Sequence, residues 1–310
     1  MFLTVTLNPS IDKYAITPSL RANSLNRIRP FRIEAGGKGI NVSKALSSFS
    51  VPATALGLLG DENADLFYKY LKETDISHRF IPVPGTTRTN LKVISSDTGE
   101  VTELNELGFS VSGTVLNAFL SLVDSLLPTM DGIVLSGSLP DRCPSSYYKD
   151  IVNLAVSYGK PVVLDADGEA FREAVSARPT MIKPNKDELS RYTGKTLDTL
   201  DDIICAAKEL HDSGICTVVV SMGADGAVCI SDEGVFRAEV PKSDILSPIA
   251  SGDTMVAAML YAYHHGFDTK KLLSFAVAAG TATAMQSGSA VCTLEDAVQL
   301  EQKIHCTHLI

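Results

Sequence analysis

Five apolar runs recur along the chain, each the length of a strand and too short for a buried helix: ATALGLLG (53–60), DGIVLSGS (131–138), PVVLDA (161–166), TMIKPN (180–185) and CTVVVS (216–221). A β-branched run, FLTVTLN (2–8), opens the chain. Strands that are apolar throughout need both faces covered, and helices on crossover connections supply that cover. Helical patterns follow the runs, around 64–73 and 145–158 for example. The expected fold is therefore α/β: a Rossmann-like, three-layer α/β/α arrangement with a mainly parallel sheet. At 310 residues the chain is long enough for a full core and is read as a single domain, 1–310.

Two stretches break the alternation. Residues 13–34 carry strand-like pieces with Pro, Asn and Arg. Residues 80–105 alternate polar and apolar around an Asp97-Thr98-Gly99 turn, the pattern of a hairpin. Together they are expected to form a small antiparallel sheet projecting from the main layer. Open α/β sheets bind ligands beyond the carboxyl ends of their strands, so a flap at that edge would act as a lid.

The formal charge of −9 argues against a non-specific nucleic-acid binder, which needs clustered Lys and Arg. No apolar run approaches the ~18 residues of a membrane span. The opening MFLTVTLNPS lacks a basic n-region and reads as a strand rather than a leader. Cys143, Cys205, Cys216, Cys229, Cys292 and Cys306 show no ligand spacing, which fits free thiols in a reducing, cytoplasmic setting. His264 and His265 fall in a last helical turn before Gly266, where they favour the negative end of the helix dipole.

Two loops and an acidic segment carry candidate chemistry. In SPIASGDTMVAAML (247–260), small residues precede a helix whose apolar positions are Met255, Val256, Met259, Leu260 and Tyr263. The N–H groups of Ser251, Gly252 and Asp253 would form an anion hole at its start. A plain reading makes Asp253 a first-turn acid that stabilises the helix by ~0.3–1 kcal/mol. That explains the acid but not the small residues before it. Phosphoryl transfer explains both, with a hole for the transferred group and a carboxylate that accepts the nucleophile's proton. The helix dipole is expected to lower the Asp253 pKa and keep it ionised. The second loop, Ala35-Gly36-Gly37-Lys38-Gly39-Ile40-Asn41, joins a strand-like piece to a helix. It reads equally as a ligand-facing turn or a tight connection. In Lys183-Pro184-Asn185-Lys186-Asp187-Glu188, Asn185 and Glu188 share a helix face. With Asp165 at the end of its strand they would hold a hydrated Mg²⁺, and Asn185 with Glu188 also has the form of a capping box.

AGGKGINV (35–42), KPNKDE (183–188), VVVSMGADGA (218–227) and ASGDTMVAAM (250–259) resemble, in that order, the ribokinase-like phosphofructokinase B family of carbohydrate kinases. TVTLNPSID and SGSLP resemble its branch of 1-phosphofructokinases, tagatose-6-phosphate kinases and minor bacterial 6-phosphofructokinases. The resemblance implies a ribokinase-like fold, ATP and Mg²⁺, with Asp253 as base and the loop 250–253 as anion hole. It implies that Asn185, Glu188 and Asp165 organise the metal and phosphates, and that Lys183, Ser221, Gly223, Gly226 and Gly252 line the nucleotide. It assigns sugar hydroxyls to Asp12, Gly37 and Asn41, with Ser138 facing the sugar. Arg27, Lys38, Arg88 and Asn90 would meet the sugar's phosphate. The two non-helical stretches, about 13–34 and 80–105, would be a β lid that also pairs two chains as a homodimer.

A chain at −9 needs concentrated positive charge to hold an anionic sugar, and Arg88 in the flap suits a bidentate phosphate contact; solvated edge-strand charge is the alternative for Arg27 and Arg88. Ala250 stands where the family has glycine, which matters if the position needs φ > 0. Gln286, Ser287 and Ala290 depart from the region where some relatives bind a monovalent cation, which leaves such a cofactor open. The expected reaction is ATP-dependent phosphorylation of a ketohexose monophosphate to the bisphosphate, fructose rather than tagatose from TRTNLKV and TELN. The competing readings are a kinase of an unphosphorylated sugar or nucleoside and a sugar-phosphate-binding regulator.

Overall fold

A computed structural model describes residues 1–74, 76–241, 243–286 and 288–309. The strands are β1 (Phe2–Thr6), β2 (Ser10–Thr17), β3 (Arg29–Gly36), β4 (Ala53–Gly60), β5 (Ser77–Val83), β6 (Arg88–Ser95) and β7 (Val101–Asn105) in the first third. They continue with β8 (Gly132–Ser136), β9 (Val162–Asp165), β10 (Met181–Ile182), β11 (Thr217–Ser221), β12 (Ala227–Ser231), β13 (Gly234–Glu239) and β14 (His305–His308). The helices are α1 (Lys38–Ser48), α2 (Ala64–Leu71), α3 (Gly113–Leu126), α4 (Tyr147–Ser157), α5 (Gly168–Val175), α6 (Lys186–Thr193), α7 (Leu200–Asp212), α8 (Ser251–His264), α9 (Thr269–Ala284) and α10 (Leu294–Glu301).

The main sheet runs β14-β13-β12-β11-β10-β9-β8-β1-β4-β5. From β5 to β11 every pairing is parallel, and β12 to β14 add antiparallel strands at one edge. Period-two alternation divides the strand residues between two cores. Leu3, Val5, Ile133, Leu135, Val162 and Leu164 pack under α3, α4, α5 and α7, while Phe2, Val134, Val163 and Val219 pack under α1, α8 and α9. The chain leaves β1 toward β4 on one side and returns to β8 on the other. That reversal opens a crevice at the carboxyl ends of the strands.

The second sheet has the order β3-β2-β6-β7 and stands over that crevice. It is mixed rather than antiparallel, because β2 and β6 pair in parallel. The parallel pairing follows from the long crossover between the two strands, which includes β3, α1, β4, α2 and β5. The expected lid segment 80–105 also begins too early, since β5 through Val83 is the edge strand of the main sheet, paired with β4. Helix α8 buries more than one face: every residue from Asp253 to Leu260 is buried between sheet and α9, whereas Tyr263 is exposed.

Candidate active site

A cleft of about 890 Å³ lies between the lid sheet and the carboxyl ends of the main strands. Its wall includes Asp12, Gly37, Lys38, Asn41, Arg88, Asn90, Asp165, Lys183, Asn185, Glu188, Ser221, Gly223, Gly226 and the whole segment Ala250–Asp253. One end is an apolar slot of Val240, Pro241, Ile245, Pro248, Ile249, Val277 and Ala284. At the other end a polar recess of about 240 Å³ holds Thr6, Asn8, Lys38, Arg88, Asn105 and Ser138. Arg27 lines neither space. It sits exposed in the segment between β2 and β3, so the chain does not bring it to its own cleft.

The N-terminus of α8 is open. Ala250 caps it at φ 61°, ψ −1°, in the left-handed region, and swings the next amides toward the cleft. The Ser251 N–H departs from the expected hole by donating to Pro248 O at 3.3 Å. The Gly252 and Asp253 N–H groups find no acceptor among the described residues, which leaves two donors for an anion. Ser251 Oγ is also buried and has no partner among the described residues. Helix α1 meets α8 here, and Asn41 Nδ2 donates to Asp253 Oδ2 at 2.8 Å. Gly37, at φ 116°, lets α1 start close to β1: a Cβ there would fall 2.6 Å from Thr6 Cγ2. This close approach supports the tight-connection reading of that loop, and Gly37 and Lys38 also line the cleft.

Burial, with Asp165 adding repulsion, pushes Asp253 up to about 6, against partial relief from Lys38, Asn41 and Lys183. The expected lowering by the helix dipole is overturned, because loss of water and a nearby carboxylate outweigh a terminal half-charge. Asp165 at the end of β9 behaves oppositely. Burial raises it, but Lys183 Nζ at 3.5 Å and Lys38 Nζ at 3.4 Å together hold it below the usual carboxylate range. Lys38 was expected at the sugar's phosphate. It reaches inward instead, toward Asp165 and to 3.8 Å from Glu188 Oε1, and Asp165 first, then Asp253 and Glu188, raise its pKa despite burial.

Asn185 and Glu188 form a complete capping box: Asn185 Oδ1 accepts from the Glu188 N–H and Glu188 Oε2 from the Asn185 N–H, both at 2.8 Å. Asn185 is thereby a helix cap before it is a ligand. Glu188 Oε1 stays free of the cap and faces the cleft. Among the described residues no three acidic, His or Cys side chains gather closely enough to hold a bare metal ion. The donor set fits a hydrated divalent cation, touched by Glu188 and backed by Asp165, with Lys38 now the cation among these acids.

Lys92, Ser10, Thr6, Asn8 and Asn105, together with the apolar slot, went unread in the sequence. Lys92 stands two residues beyond Asn90 on one strand, so strict alternation from Asn90 would have put it on the same face.

A buried carboxylate, two open helix-terminal amides beside it, and a cleft with one apolar end and one polar end that carries Arg88 make up the equipment of a small-molecule kinase. The pfkB family carbohydrate kinase model matches residues 5–297. The chain is 37% identical to a 1-phosphofructokinase of Rhodobacter capsulatus, over 89% of this chain and 87% of that one. It superposes on a possible 1-phosphofructokinase from Thermotoga maritima at TM-score 0.92 and 28% identity, covering 100% of both. It superposes on phosphofructokinase-2 from Escherichia coli in complex with potassium at TM-score 0.90 and 27% identity, covering 98% of each. The chain belongs to the pfkB family of carbohydrate kinases, and it is a sugar kinase. Among the described residues no helix is long and apolar enough to cross a membrane.

Proposed function

We propose that this kinase transfers the γ-phosphoryl group of ATP to a primary hydroxyl of a fructose monophosphate, giving the bisphosphate and ADP. The observation that carries the reading is Asp253 beside the free amides of Gly252 and Asp253, between an apolar slot and a recess flanked by Lys38 and Arg88. The hydroxyl oxygen bonds to the γ-phosphorus as the bond to the β-phosphate oxygen breaks, and the hydroxyl proton passes to Asp253. Asn41 orients the receiving carboxylate. The two amides stabilise charge on the phosphoryl oxygens, and Lys183 keeps Asp165 ionised beneath them. Mg²⁺, held at Glu188 with Asp165 behind it, would neutralise phosphate charge. Lys38 follows that charge from the acid cluster.

Arg88 sits at the sugar end. Its guanidinium donates to Asn8 O at 3.0 Å and Glu106 O at 3.2 Å, while Nε is buried and finds no acceptor among the described residues, and the side chain lines both the cleft and the recess. The names of relatives favour fructose 1-phosphate as acceptor. A coupled ADP assay over fructose 1-phosphate, fructose 6-phosphate, tagatose 6-phosphate and free fructose tests this. Turnover of the free sugar alone would overturn the reading. Arg88→Ala should lower kcat/KM for the sugar phosphate ~10–150-fold while leaving the ATP KM nearly fixed.

Leu25 and Ile28 between β2 and β3, Phe31 on β3 and Leu104 on β7 are exposed, which supports pairing with a second copy through the lid. In such a homodimer the exposed Arg27 would reach substrate across the interface. A tetrameric inhibited form exists of the E. coli phosphofructokinase-2, so the assembly needs its own measurement. Light scattering of Phe31→Asp against the parent provides it. Activation by K⁺ stays open on the departures at 286, 287 and 290; the E. coli phosphofructokinase-2 is known in complex with potassium, and replacing K⁺ with tetramethylammonium tests the point for this chain. Of the departures bearing on it, Ser287 lies outside the described residues.

A further inference from the structure

The lid sheet turns a polar face to the cleft. On β2 and β6, Ser10 lies opposite Arg88, Asp12 opposite Asn90 and Tyr14 opposite Lys92, and alternation puts all six on that face. Lys92 is 7% exposed, Asp12 5% and Tyr14 0%. Lysine is rarely buried so fully without a specific partner. The Lys92 ammonium lies 2.9 Å from Asp12 Oδ2 and 3.4 Å from Tyr14 Oη, and it is 5.2 Å from the Tyr14 ring centroid. Its neighbour across β7, Glu103, is exposed, and the ion pair formed is to Asp12.

Asp12 is held on every other side as well. Its Oδ1 accepts from Ser10 Oγ at 2.6 Å and Asn90 Nδ2 at 3.2 Å. Its carboxyl group lies against the β3 backbone, where a Cβ at Gly36 would fall 2.5 Å from Asp12 Cγ. A carboxylate offers about four acceptor positions, so three bonds from the chain leave one open toward the cleft.

We propose that Lys92 is a substrate-positioning residue, fixing Asp12 so that its remaining acceptor position meets a sugar hydroxyl. Binding of the sugar phosphate then depends on Lys92, and binding of ATP does not. The inference rests on the reading of Asp12 as the group that holds a hydroxyl.

The test compares Lys92→Met, Asp12→Asn and the double variant, using the fructose monophosphate turned over fastest in the screen above. Lys92→Met should raise the sugar-phosphate KM ~10–100-fold with the ATP KM within about threefold of the parent. Asp12→Asn should raise the same KM, and the double variant should lie within about threefold of Asp12→Asn, because Lys92 acts through the group already changed. If Lys92→Met alone does not fold, the double variant, which buries no unpaired charge, carries the comparison against Asp12→Asn. An unchanged sugar KM in Lys92→Met, an ATP KM rising in step, or full additivity in the double variant would each overturn the proposal. Asp12→Asn without effect on the sugar KM would remove the reading of Asp12, and this inference with it. An effect at Asp12 and none at Lys92 would remove this inference alone.

Discussion

The carboxyl end of β9 and the first turn of α8 each bury one aspartate in the same cleft, and the two differ in what surrounds them. Asp165 has a lysine on either side and is held below the ordinary range. Asp253 has an amide donor, no lysine within ion-pair distance among the described residues, and the charge of Asp165 nearby. The first is a fixed negative charge that organises cations. The second is poised to gain a proton, which a base must do. One residue type thus does two jobs, and its position relative to Lys38 and Lys183 decides which.

The sharpest test of this contrast is Asp253→Asn. Loss of a general base costs typically ~10²–10⁴ in rate, so kcat should fall by that much with the ATP KM unchanged. A variant keeping half the parent's kcat would end the assignment. Stability should move the other way. The folded-state pKa of about 6 lies above the ordinary aspartate value, so folding takes up a proton between those two values. The penalty for the ionised form is full above about pH 6 and fades as pH falls toward 4. Asn never bears that charge, and its stability at pH 7.5 should rise on the order of 2 kcal/mol, read by thermal or urea unfolding.

Asp165→Asn should give the opposite stability change. It leaves Lys183 buried without its counter-charge, which costs about 3 kcal/mol or more. The sign follows from the lowered pKa, since the stability Asp165 contributes is present above the ordinary aspartate value and lost as pH falls through the folded one. If both variants were destabilised alike, the contrast between the two aspartates would be gone.

Much of this was legible in the sequence because it is local. The apolar runs mark strands, as β4 at Ala53–Gly60 does, and a glycine-rich or small-residue loop before a helix marks an open N-terminus. What the sequence did not carry was distance between remote segments. The dipole argument for Asp253 used its own helix, whereas its pKa is set by burial and by Asp165, eighty-eight positions earlier. The resemblance placed Lys38 at a phosphate, but the carboxylates of Asp165, Asp253, Glu188 and Asp167, all remote in sequence, attract it first. The parallel pairing of β2 with β6 depends on a whole intervening crossover, and a hairpin-like pattern at 80–105 gave no hint of it.

The pH profile gives a smaller effect on the same contrast. The acid limb of kcat/KM reports the free enzyme's base, so it should bend near pH 6 and fall about tenfold per unit below it. In Asp165→Asn the bend should move to lower pH, because repulsion from Asp165 is among the causes that raise Asp253. A bend at ordinary aspartate values in the parent would show that substrate-free Asp253 is not desolvated as the geometry requires.

The smallest effect concerns the turn that presents Asp253. Ala250 adopts φ 61°, where a side chain costs ~1–2 kcal/mol that glycine avoids. Glycine in turn has more freedom to lose on folding, ~0.5–1 kcal/mol, and gives up the packing of a methyl group that is 9% exposed here. These terms nearly offset, so Ala250→Gly should change stability by no more than about 1 kcal/mol, in the stabilising direction if any. Rate should hold or rise slightly, because the amides of Gly252 and Asp253 keep their aim with less strain behind them. Position 165 has no such turn to relax, so the change should leave its ion pairs and the Mg²⁺ dependence untouched. A fall of more than about threefold in kcat would mean that the methyl group, and not the left-handed backbone, holds the anion hole in register.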